Sequence, residues 1–118
     1  MTALEAIAEF DRLRPNSFPQ EQKLRWLTRL DAFLQKSLLD RYPAKAGDVP
    51  QEDPDRELLI PDPFAEAYLH WMEAKVHYFN QEIDRYNSAM GMFRGLMEDY
   101  QRELHRREAL APGEDYRF

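Results

Sequence analysis

The chain has 118 residues, 43% hydrophobic and 13% aromatic, with 22 acidic against 16 basic side chains and a formal net charge of -6. That length fits one domain able to bury roughly two-thirds of its unfolded surface, and the absence of cysteine excludes disulfides and thiolate metal sites. The acidic balance argues against a dedicated nucleic-acid surface, which draws its affinity from clustered Lys and Arg.

The first residues, MTALEAIAEFDRL, carry acid where a signal peptide carries base, and no apolar run approaches the ~20 residues that span a bilayer. A cytosolic start without a membrane is therefore expected. Thr2 and Glu5 spell a T-x-x-E capping box, in which each side chain satisfies a backbone N–H freed at the helix start. A short first helix is predicted over 3–13, stopped by Pro15, Asn16 and Ser17. Ser17 and Gln20 spell a second box, with Pro19 pre-setting the first turn, and predict a helix over 19–41. Its apolar stripe is Leu24, Leu27, Leu30, Leu34, Leu38 and Tyr42, spaced by three or four residues as a 3.6-residue period requires. Trp26 and Phe33 form a second stripe on its flank.

Between Pro43 and Pro63 the periodicity vanishes into five prolines, one glycine and the acids Asp48, Glu52, Asp53, Asp55 and Glu57. No helix survives that composition. A long acidic, Pro-rich loop over 43–62 is predicted, a binding arm or lid with Asp53 and Asp55 at its surface and Leu58, Leu59 and Ile60 tethering its end. Asp62 before Pro63 reads as an N-cap ahead of proline at the first helical position. From Phe64 to Leu104 apolar residues then recur at three-or-four spacing almost without interruption. One helix of about 45 residues would reach some 65 Å at 1.5 Å per residue, too long for so small a domain. A break is therefore predicted, at Asn80 in preference to Asn87-Ser88, giving helices over 63–79 and 81–108 and a tail over 110–118. The fold class read from the chain is all-α: a small antiparallel bundle of about four helices.

Projected at 100° per residue, Lys75 falls among Phe64, Tyr68, Trp71, Met72 and Val76, and Asp31 among Leu24, Leu27, Leu34 and Leu38. A buried Asp31–Lys75 pair is one expectation. The other is that Lys75 snorkels to the edge while Asp31 bonds a backbone group or a Tyr hydroxyl. Glu66, His70, Glu73 and His77 share the opposite face, but the facing-helix ligands and the Glu-x-x-His order of metal bundles are missing. With no phosphate-cradling glycine loop, nucleophile elbow or cysteine nucleophile, no catalytic, metal or cofactor residue is assigned. Gly91 and Gly95 admit a neighbouring helix or are simply tolerated defects. Trp26 and Phe33 either anchor a partner surface or lie under the first helix through Ile7 and Phe10. In the tail, Tyr116 and Phe118 either dock on a neighbour or fray.

Three stretches, LRPNSFPQEQKLRWLTRLD, ELLIPDPFAEAYLHWMEAKV and NQEIDRYNSAMGMFRGLMEDYQ, together resemble the small head-tail connector proteins of tailed bacteriophages and prophages, the adaptors of the neck. The combination carries the resemblance, above all LRPNSF, IPDP and the run Asn80, Glu82, Ile83, Tyr86, Asn87. It implies a non-catalytic structural protein of the virion neck, made in the bacterial cytoplasm and assembled as a ring, typically dodecameric. Its partners would be the portal protein and tail or neck proteins, with DNA passing through the lumen without specific binding. A small cytosolic interaction module, antitoxin-like or chaperone-like, shares the composition but would form a dimer. A metal-dependent bundle enzyme would need ligands on two facing helices.

Overall fold

The computed structural model describes residues 1–109, with side chains through Glu108. Four α-helices are present among them: α1 (Ala3–Leu13), α2 (Gln20–Ser37), α3 (Ala67–Phe79) and α4 (Ile83–Ala109). Three-residue 3-10 turns at Leu39–Arg41 and Phe64–Glu66 extend α2 and precede α3. The antiparallel α3–α4 hairpin is the most extensive helix pair, and α1 and α2 pack against α3. The principal extents are 55 × 30 × 21 Å, and the 27 residues of α4 span about 40 Å.

Amphipathic spacing accounts for the core. Leu24, Leu27, Leu30, Leu34 and Leu38 are all buried, as are Ala3, Ala6, Ile7 and Phe10 of α1 and Phe93, Met97, Tyr100 and Leu104 of α4. The Thr2 box forms: Thr2 N–H donates to Glu5 Oε1 at 2.8 Å, and Glu5 N–H donates to Thr2 Oγ1 at 3.1 Å. Two further N–H groups of the first turn are capped by the distant segment 54–56, Ala3 to Arg56 O at 3.0 Å and Leu4 to Pro54 O at 2.8 Å.

The second predicted box does not form. The helix starts at Gln20 behind an extended Pro19 with no side-chain cap, so Ser17 lies too far upstream. The elbow is fixed instead by Asn16, whose side chain accepts from Phe18 N–H (3.0 Å) and Lys23 Nζ (3.1 Å) and donates to Asp11 (2.9 Å). Lys23 is itself buried and reaches Asp11 at 2.6 Å. Asp62 likewise caps nothing. A tight turn from Phe64 N–H to Pro61 O (2.9 Å) leads into the 3-10 turn, and α3 begins only at Ala67.

The predicted break is where the sequence placed it. Asn80 ends α3, its N–H bonded to Val76 O at 3.0 Å. The reversal itself is made by Gln81, whose φ of 60° lies in the left-handed region, and Glu82 O then accepts Tyr86 N–H at 2.9 Å to start α4. A non-glycine residue there costs about 1–2 kcal/mol, more for β-branched side chains. Urea denaturation of position-81 variants should therefore rank Gly and Asn at or above Gln, with Gln81→Val lower by about 1 kcal/mol or more. A valine variant as stable as the glycine one would refute the assignment of strain to this residue.

Candidate functional site

The most deeply buried polar group is Asp31, fully inaccessible in the middle of α2. Its helical register aims it at the core, and three donors from two other parts of the chain meet it there. Tyr68 of α3 donates its hydroxyl to Oδ1 at 2.5 Å, while Arg56 Nη1 and the Leu59 N–H donate to Oδ2 at 2.8 and 3.1 Å. The Tyr68 hydroxyl in turn accepts from Ile60 N–H at 2.8 Å. The otherwise irregular stretch after Tyr42 is thus strapped down at 56–60, with Leu58 and Ile60 buried beside it. Satisfaction is incomplete: Arg56 Nη2 and the Tyr100 hydroxyl are buried with no hydrogen-bond partner among the described residues.

Of the two expectations for Asp31 and Lys75, the buried pair is corrected and the other holds, with Asp31 bonded to a backbone N–H and a Tyr hydroxyl. Asp31 pairs with Arg56, and Lys75 lies at the edge with Nζ 5.0 Å from the centre of the Trp71 ring. A long ammonium side chain escapes more cheaply than it is buried, and three donors, one guanidinium N–H, a backbone N–H and a hydroxyl, satisfy the carboxylate more fully than one ammonium would. Sequence reading missed Arg56. The available signal was a single arginine in an acidic stretch, immediately before the apolar run Leu58, Leu59 and Ile60.

Trp26 is also corrected. It is buried within the chain, its ring stacked on Phe79 at 5.9 Å and tilted against Phe18 at 5.4 Å, with its carbonyl accepting from Trp71 Nε1 at 3.3 Å. Its cover is the inter-helix elbow and the end of α3, so it is not an exposed anchor. Phe33, in contrast, is 66% exposed. Asp53 and Asp55 are exposed, and Asp53 Oδ1 accepts Asp55 N–H at 3.0 Å within a local turn. Tyr116 and Phe118 lie outside the described residues. Gly91 and Gly95 are exposed on α4, with open space where a Cβ would stand.

Two surface features converge at the α3–α4 hairpin. On one side, Glu73 gathers Arg14 (3.5 Å), His77 Nε2 (3.4 Å) and His70 (3.9 Å), and His77 Nδ1 reaches Glu82 at 2.9 Å. The His77 hydrogen bond, ahead of the Arg85 charge, holds the Glu82 carboxyl below its ordinary range. Among the described residues no set of three or more His, Asp or Glu is arranged to hold a metal. On the other side the large apolar residues Tyr78, Phe79 and Ile83 are half-exposed or more. Next to them a groove of about 170 Å³ is lined by Trp71, Ala74, Lys75, Tyr78, Tyr86 and Met90. What this geometry offers is contact with another surface. No family model, no curated protein and no solved structure matches the chain.

The buried cluster makes two predictions. Asp31→Ala, which strands Arg56, the Leu59 N–H and Tyr68 without their acceptor, should cost about 3–5 kcal/mol, against about 1–3 for Tyr68→Phe. Equal, small losses on denaturant unfolding would contradict a shared latch. Burial, then the Asp31 charge, pushes the Tyr68 hydroxyl well above the ordinary phenol value of 10.0, and burial raises Tyr100 too. A raised acid keeps its proton in the fold, so this stability is present below pH about 10 and lost as pH rises beyond it. Tyr68→Phe should make the alkaline limb of the stability curve shallower, and an unchanged limb would assign that loss to other groups.

Proposed function

We propose that this chain is a head-tail connector of a tailed bacteriophage or prophage, a structural adaptor that works by binding and oligomerises as a ring between portal and tail. The observation that carries this reading is the ordered combination of LRPNSF, IPDP and the Asn80, Glu82, Ile83, Tyr86, Asn87 run in one helical chain. Each of the three occupies a joint of the scaffold. Asn16 of the first organises the α1–α2 elbow. Ile60 of the second is tied to Tyr68 beside the Asp31 latch. The third forms the α3–α4 reversal.

The surface supports an assembly role. A ring subunit needs apolar area left over after its own core is filled, and here Phe33, Tyr78, Ile83 and Met92 are each more than half exposed. The net charge of -6 suits a lumen that DNA must slide through, since carboxylates repel phosphates. The segment carrying Asp53 and Asp55, whose carboxylates face solvent, is the part proposed to meet the portal or a tail protein as a binding arm. The site of action is then the virion neck.

Electron microscopy and native mass measurement, on the chain alone and mixed with a candidate portal protein, test this. Rings of about a dozen copies, or ring-shaped decoration of the portal, are expected. A persistent monomer or dimer that never decorates a portal would overturn the reading in favour of a small cytosolic interaction module.

A further inference from the structure

We propose that the groove between α3 and α4 is a docking site for the segment Glu114–Phe118 of a second copy of this chain, with the Tyr116 ring seated between Trp71, Tyr78, Tyr86 and Met90 and the Glu114 carboxylate on Lys75. The groove's volume of about 170 Å³ is on the scale of cavities that hold one benzene ring, on the order of 150 Å³. Its walls are three aromatic rings with Ala74, Met90 and the polar end of Lys75, Tyr78 and Tyr86 having centroids 5.8 Å apart and Trp71 being backed by Phe93 at 5.0 Å. A ring entering it gains the offset or tilted contacts that such faces favour.

Charge selects the occupant. Lys75 Nζ lies over the Trp71 ring at the groove's lining, and no carboxylate among the described residues comes within ion-pair distance of it. An acidic residue beside an aromatic one is therefore the complementary ligand. The sequence GEDYRF has that composition: in an extended segment Glu114 and Tyr116, two apart, project to the same side, so one ring and one carboxylate arrive together.

Reach selects the copy. The groove's contribution from α4, Tyr86 to Met90, lies about 28–35 Å back along the helix from Ala109 at 1.5 Å per residue. The seven residues from Ala109 to Tyr116 span at most about 25 Å when fully extended. Even fully extended straight back along α4, the Tyr116 backbone stops short of Met90 and its side chain, adding about 6 Å, does not reach Tyr86, so a neighbour's groove is the better-matched one. The choice of a second copy rests on the ring reading above.

Full-length chain carrying the photocrosslinker p-benzoylphenylalanine at position 116, mixed from 14N- and 15N-labelled copies, tests the proposal by mass spectrometry. Crosslinks from position 116 to residues 71–90 of the other isotopic copy are expected. Their yield should drop roughly five-fold in Lys75→Glu, equivalent to about 1 kcal/mol, and recover when Glu114→Lys is added. Crosslinks confined to one copy, crosslinks to other faces or to an added portal protein alone, or a yield indifferent to Lys75→Glu would overturn it. Rings in the microscope without these crosslinks would sink the docking site and leave the connector reading standing. The crosslinks in a dimer that never forms rings would do the reverse.

Discussion

A carboxylate buried in the middle of a leucine-striped helix is the constraint around which the rest of this molecule is arranged. Asp31 has no solvent contact, and an isolated charge in that position would be prohibitive. It is tolerated because α3 and the strap residues Arg56 and Leu59 each bring a donor to it. Those donors can meet only in one relative placement of α2, α3 and the strap. A hydrophobic residue at position 31 would fill the space without specifying that placement. Here the polar cluster determines which way an otherwise featureless chain runs across the bundle, at some cost in stability.

The strap then sets the start of the fold. With Arg56 held at Asp31, the carbonyls of Pro54 and Arg56 lie where Ala3 and Leu4 need acceptors, so the first turn of α1 is capped from 50 residues away as well as by its own Thr2 box. The elbow after α1 repeats the device on a smaller scale, with Lys23 buried between Asp11 and Asn16. Phe18, carried by that elbow, closes over Trp26 and Phe79. Polar contacts fix the joints, and apolar contacts fill the space between them.

The helices were legible because their information is local. Capping residues and three-or-four spacing predicted α1 within a residue, and the excessive length of the Phe64–Leu104 stripe forced a break at Asn80. The second box and the Asp62 cap failed because backbone carbonyls start these turns without a side chain, Pro19 O accepting from Gln22 and Lys23 N–H and Pro61 O from Phe64 N–H. Partnership across the fold was less legible. The sequence marked Asp31 and Lys75 as misplaced charges on apolar faces, and that was correct. It could not say that the better donor lay in the irregular stretch, since nothing periodic links position 56 to position 31. The same holds for Trp26, whose cover comes from Phe18 and Phe79, neither of them on the helix expected to supply it.

The motifs that carry the resemblance and the surfaces that would carry the function overlap at the α3–α4 end of the molecule, where Ile83 of the Asn80–Asn87 run is exposed and Tyr86 lines the groove. Elsewhere LRPNSF, IPDP and the same run contribute Asn16, Ile60 and the Gln81 reversal, which hold elbows and turns. They constrain the scaffold. The residues left on the outside, Phe33, Tyr78, Ile83 and Met92, stand apart from the hydrophobic core, and few of them are needed to make the helices form. A partner surface can change there while the joints stay fixed, because helix pairing at α3–α4 depends on Met72, Phe93 and Met97 facing inward and not on what faces out. For the proposed adaptor, which would fit two different neighbours, such a division would let each docking face vary without altering the geometry that positions it.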